Sequence, residues 1–234
     1  MSVYRQSPFA NLTPVVKNLL IINLICFLPY ILFSENMYDK LVVTNMGAFY
    51  FNSPFFRVWQ LLTYMFFHGG WTHILFNMFA LFSFGPILEY GIGGKRFFNL
   101  YFICGIGAAL FQMLVQAIEV HQITGTFTAH DLSGLDPMAI AKLQGIYAGP
   151  IIGASGAIFG VLVAFGMLFP NLELMMMFIP VPVKAKYIIP IYVIFEIYSG
   201  LSPTAGDNVA HFAHIGGALL GFLVIKAWNI QRIQ

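Results

Sequence analysis

Six apolar runs dominate the chain, each parted from the next by a short polar or turn-rich segment. A helix needs about 20 consecutive apolar residues to cross a bilayer, and runs of this kind leave little else for the chain to become. Composition agrees, at 59% hydrophobic and 9% charged residues with a mean hydropathy of +0.81, where a soluble domain carries roughly 25% charged residues. The expectation is an all-α polytopic membrane protein with six transmembrane helices and an interfacial first loop. The 234 residues leave no room for a separate soluble domain.

The first span is expected over Val15–Phe33, with Lys17 near its start where it can snorkel. No small-residue cleavage site follows, so it reads as an anchor and not as a removed signal peptide. Residues 34–57 are too mixed to span, and their aromatic rings suit the headgroup level. Gly69-Gly70 breaks the next run, so the second span starts near Trp71 and ends by Glu89. Gly91 to Arg96 is a tight turn, and Phe97–Ile118 is the third span. His121 to Pro150 reads as an external loop with a helical pattern around Met138–Leu143. The fourth span covers Ile151–Phe169. Pro170 to Lys186 connects to a short fifth span, Tyr187–Tyr198, which contains Pro190, and Val209–Trp228 is the sixth. Residues 1–14 are a cytoplasmic tail, 15–228 one membrane domain and 229–234 a C-terminal tail.

Charge supports that count. Six spans place Arg5, Lys17, Lys95, Arg96, Lys184, Lys186, Lys226 and Arg232 on one side, against Lys40, Arg57 and Lys142 on the other. An excess of Lys and Arg marks the cytoplasmic side, so both termini are expected there. Net charge of +2 is too small and too scattered to suggest a nucleic-acid partner. Cys26 and Cys104 both lie within apolar runs, which argues against a disulfide framework.

Polar residues within spans are costly and are functional candidates by default. Three clusters stand out: His68-Gly-Gly-Trp-Thr-His73-Ile-Leu-Phe-Asn77, Ser155 among glycines in Ile151-Ile-Gly-Ala-Ser-Gly-Ala-Ile-Phe-Gly160, and His211-Phe-Ala-His214. In the six-span topology all three lie toward the outer face. Small residues also serve plain helix packing, so the serine box gains meaning only from its companions. A serine hydroxyl becomes a good nucleophile when a base within hydrogen-bond reach takes its proton, and imidazole suits that task. At 100° per residue, Gly221 lies about 20° from His214 and about 80° from His211. His214 thus stands on the Gly217-x-x-x-Gly221 stripe, which lets the sixth span approach Gly156 and Gly160 of the fourth. His211, one turn nearer to water, is expected to be a solvated or structural histidine. Every Asp and Glu is assigned to a loop or a span end, so the expected unit is a Ser155–His214 dyad without a carboxylate.

His73 and Asn77 share a helix face at i,i+4 and could donate to an oxyanion, together with backbone N–H groups at Ala154 and Ser155. The alternative for that pair is helix-to-helix glue. His68 is expected in the loop mouth in a supporting role. A metal is not expected, because no His-Glu-x-x-His and no intramembrane carboxylate completes a ligand set, and no cofactor is expected either. A small transporter using the histidines as a proton relay lacks internal repeats and carboxylates.

Taken together these residues resemble the rhomboid family of intramembrane serine proteases. The family's Gly-x-Ser-Gly box is similar to Gly153-Ala-Ser155-Gly156, its His-x-x-x-Asn to His73 through Asn77, and its Ala-His-x-x-Gly-x-x-x-Gly to Ala213-His214-Ile-Gly-Gly217-Ala-Leu-Leu-Gly221. The link Phe84 to Phe97 also looks like the family's, so the resemblance runs from about Arg57 to Leu223. It implies Ser155 as nucleophile, His214 as base and acid, His73 and Asn77 as oxyanion donors, and Phe159 as a ring against the imidazole. It further implies transmembrane protein substrates, a bacterial inner-membrane location and a mobile fifth helix acting as a gate. Where many members have a Trp-Arg pair in the first loop, this chain has Arg57-Val-Trp59-Gln60. A catalytically silent relative that binds membrane clients is the alternative, although such proteins usually lack the Ser or the His.

Overall fold

The computed structural model describes residues 12–129, 132–176, 179–202 and 209–233, so most of the expected N-terminal tail, including Arg5, lies outside the described residues. Among the described residues six helices form the bundle: α1 (Pro14–Leu32), α2 (Trp71–Ile92), α3 (Gly94–Thr124), α4 (Ser155–Leu168), α5 (Ala185–Leu201) and α6 (His211–Ala227). Among the described residues α1, α2 and α3 are long and apolar enough to cross a membrane, and α4 and α6 are shorter apolar helices. Ile21, Leu24, Ile25, Leu28 and Leu32 of α1 are exposed on the outside of the bundle, as lipid-facing side chains must be in an integral membrane protein. Several ends differ from expectation. The third helix continues past Ile118 because helical hydrogen bonds do not require apolar side chains. Glu119 there pairs with Lys142 at 2.9 Å, and the helix stops where Gly125 turns left-handed at φ 74°.

At the centre stands α4, buried along nearly all of its length. Its 14 residues rise about 21 Å at 1.5 Å each, less than the ~30 Å hydrocarbon thickness. Phe169, just past its C-terminal end, packs on Gly91 near the end of α2, and the first loop meets the chain at the opposite, N-terminal end. This end carries Ser155. The residues before it, expected to be helical from Ile151, are irregular, with Ile151 and Ile152 half-buried and Gly153 and Ala154 buried. Ile151 exchanges backbone hydrogen bonds of 2.9 Å with Ala48 of the first loop, and Gly153 N–H donates to Tyr64 C=O at 2.9 Å.

Close approach of α4 and α6 follows from missing side chains. A Cβ on Gly217 would overlap the carbonyl oxygen of Gly156, and one on Gly221 would overlap that of Gly160. On the far side of the bundle, Glu89 caps α1. Its carboxylate accepts from Thr13 Oγ1 at 2.5 Å, Val15 N–H at 3.1 Å and Val16 N–H at 2.9 Å, satisfying orphan donors at the positive end of the helix dipole. The connector between α4 and α5 is more ordered than expected: β1 (Glu173–Met176) and β2 (Ile179–Lys184) pair antiparallel, the one two-stranded ribbon among the described residues.

Candidate active site

Ser155 is the first residue of α4, where the backbone N–H groups have no intrahelical partner. Gly153, two residues earlier, has φ 122°, a conformation side chains disfavour, and a Cβ there would come within 2.5 Å of His73 Nε2. The chain can therefore turn into α4 with the His73 ring beside it only because this position is glycine.

His214 lies in the first turn of α6, and its Nε2 is 2.7 Å from Ser155 Oγ. Phe159, one turn along α4, stacks on the imidazole with centroids 4.4 Å apart and planes 13° apart. Tyr192 of α5 also packs on Phe159, with centroids 4.9 Å apart. The ring of the base is thus held against α4 by aromatic contact and by the short helix approach at Gly217.

Contrary to the expectation of a pair without an acid, a carboxylate reaches His214. Glu196 of α5 places Oε2 at 2.8 Å from His214 Nδ1 and at 2.7 Å from His211 Nδ1. All three residues are buried. The sequence reading assigned every acidic residue to a loop or span end, and an apolar run ending at Tyr198 hid the fact that helix α5 continues to Leu201, leaving Glu196 inside it. The available signal was that Glu196 is the acidic residue of the fifth apolar run, and an ionisable residue there is a candidate by default. His211 is accordingly not solvated. The same finding removes the premise that no carboxylate could complete a ligand set or a relay: the ligand atoms of Glu196, His211 and His214 lie within 4.8 Å of one another, although in this arrangement they are bonded to each other.

Asn77 is buried on α2, and its Nδ2 donates to the His73 carbonyl at 2.9 Å. One amide hydrogen is so engaged within the helix. His68 differs from its expected place in a loop mouth. It is fully buried, its ring edge meets His73 at 4.9 Å, and its Nε2 accepts a long, 3.5 Å hydrogen bond from Ala154 N–H. Its carbonyl accepts from Tyr38 OH at 2.9 Å. Burial, together with the neighbouring His73, pushes its pKa down to about 3, so it is a neutral acceptor. The Ala154 N–H, expected as an oxyanion donor, is aimed at His68 instead.

A family model described as the Rhomboid domain matches residues 56–228. The chain is 30% identical over 165 residues to Rhomboid protein 1, mitochondrial, of Saccharomyces cerevisiae, covering 70% of this chain and 40% of that protein. It is 27% identical over 223 residues to the putative rhomboid protease YdcA of Bacillus subtilis, covering 93% and 92%. With the rhomboid protease AarA of Providencia stuartii it shares 29% over 183 residues, covering 73% and 56%. The chain therefore spans two fifths of the yeast relative's length but nearly all of the Bacillus one. Matched over most of its length, with three long apolar helices in the bundle, the chain belongs to the rhomboid family and is an integral membrane protein.

Proposed function

We propose that this chain is an intramembrane serine endopeptidase that cleaves transmembrane segments of other membrane proteins through an acyl-enzyme. The observation that carries the reading is the 2.7 Å approach of Ser155 Oγ to His214 Nε2 at the N-terminal end of α4. Ser155 Oγ attacks the scissile carbonyl carbon while its proton passes to His214 Nε2, which later delivers it to the leaving amine; a water then repeats the sequence to free the acyl group. The developing oxyanion is received by the N–H of Ser155 at the helix start, by His73 across Gly153, and by the second amide hydrogen of Asn77. One such donor is typically worth about 10²–10³ in rate. Both termini are assigned to the cytoplasm of a bacterial inner membrane, with the site toward the outer face, on the Lys and Arg asymmetry of the loops. The whole of residues 15–228 acts as one membrane domain.

The test is reaction of the purified protein in detergent with a fluorophosphonate probe, followed by cleavage of a transmembrane test substrate. Wild type is expected to be labelled and active. Ser155→Ala and His214→Ala are expected to lose both, since removing either member of such a pair has cost about 10⁶ in turnover in a soluble protease. Equal labelling of all three proteins would sink the reading, and an unlabelled wild type would favour a client-binding role without catalysis.

A further inference from the structure

Glu196 sits where a carboxylate is expensive. It is 4% exposed on a helix whose neighbours are Tyr192, Val193 and Ile197, and burying a carboxylate costs several kcal/mol unless it is paired and hydrogen-bonded. A device that only fastened α5 to α6 could use any neutral hydrogen-bonding pair. What the site holds instead is a single oxygen, Oε2, facing two imidazole Nδ1 atoms at 2.7 and 2.8 Å.

The chemistry of that junction is directional. With Glu196 ionised its carboxylate only accepts, and each Nδ1 then carries the hydrogen. A neutral imidazole with its hydrogen on Nδ1 has a bare lone pair on Nε2, and His214 Nε2 is the atom next to Ser155 Oγ. The tautomer that Glu196 selects is therefore the one able to take the serine proton. Once the proton has moved, the resulting imidazolium lies directly against a negative charge. His211 donates the second hydrogen bond, so the carboxylate keeps a partner while its other bond changes strength.

From this geometry we infer that Glu196 is a positioning residue for His214, setting the tautomer and orientation of the base and compensating its charge in the transition state, with His211 holding the carboxylate in place. The inference rests on the proposed Ser155–His214 function and adds to it a role for α5. This helix grips the base twice, through Glu196 at Nδ1 and through Tyr192 against Phe159. Chemistry then requires α5 to be seated, because outward movement of that helix unhooks His214 Nδ1.

The experiment has two parts. In the first, full-length protein with 15N-labelled histidine is examined by NMR in detergent at pH 8.5. His214, assigned by its absence in His214→Ala, is expected as the Nδ1–H tautomer in wild type and to shift toward Nε2–H in Glu196→Leu. In the second, Glu196→Gln is compared with wild type for turnover of a transmembrane substrate. The expected result is a fall in kcat of about 10²–10⁴-fold, the upper end matching the loss on neutralising the aspartate of a soluble serine protease triad, with KM and thermal midpoint little changed. Glu196→Asp is expected to recover part of the loss, and His211→Ala to cost less than Glu196→Gln. An Nε2–H tautomer in wild type, or wild-type kcat in Glu196→Gln, overturns the inference while leaving the Ser155 reading intact. Failure of wild type to react with the fluorophosphonate overturns both.

Discussion

Residues that are small or neutral decide as much at this site as those that react. Gly153 admits the His73 ring, and His68 supplies an uncharged acceptor behind Ala154. The neutral state of His68 has a pH consequence whose sign follows from its lowered pKa. The folded protein binds fewer protons here than the unfolded chain between about pH 3 and pH 6.5, so stability is fully present above 6.5 and is lost as pH falls through that window. At pH 5 the loss from this group is about 2 kcal/mol at 1.36 kcal/mol per pH unit. Thermal unfolding in detergent is expected to show a lower midpoint at pH 5 than at pH 7 in wild type, and a smaller difference in His68→Gln. An identical pH response in the two proteins would count against the buried neutral histidine. His68 was legible in the sequence as a member of the outer cluster, but its complete burial was not, because Tyr38 and Ala154, which cover and contact it, lie 30 and 86 positions away.

At the scale of elements, α4 and α6 are joined by backbone against backbone. Gly217→Ala inserts a methyl where the Gly156 carbonyl oxygen already sits, and neither helix axis can move without disturbing Ser155 and His214. Overpacking a tight core costs typically 1–3 kcal/mol, and the upper part of that range is expected. Gly145→Ala offers the contrast, since nothing lies within 4 Å of its added Cβ in the helix Pro137–Ala148; relief of glycine's backbone entropy there favours the folded state by about 0.5–1 kcal/mol. Denaturation midpoints are expected to move in opposite directions for the two variants, and an unchanged midpoint in Gly217→Ala would contradict the packing described. The glycine stripes themselves were readable from helical periodicity. That the loop before α5 pairs as a β-ribbon was not, because its Pro180 and Pro182 read as breakers and Pro is tolerated on edge strands.

For the molecule as a whole, the proposed cleavage of transmembrane segments needs a way in for a large substrate and a closed geometry for chemistry. The proposed gate is α5, which contains Pro190 and also carries Glu196. A cross-link between α2 and α5 is therefore expected to abolish cleavage of a transmembrane substrate while leaving fluorophosphonate labelling of Ser155 close to wild type, because the small probe needs no opening and the seated α5 keeps His214 aligned. Undiminished cleavage of the large substrate by the cross-linked protein would rule out the gate.

Apolar runs and helical spacing were enough to determine an all-α membrane bundle and the glycine faces that bring α4 to α6. Those features are local or periodic, and a bilayer leaves few other outcomes for them. Tertiary structure alone decided which distant groups meet. Glu196 meets two imidazoles fifteen and eighteen positions away, Ile151 takes its strand partner from Ala48, and Glu89 caps α1 across 73 to 76 positions. A hydrogen bond between segments so far apart leaves no spacing in the chain, and burial in lipid makes each of those polar groups find its partner in the folded bundle instead of in water.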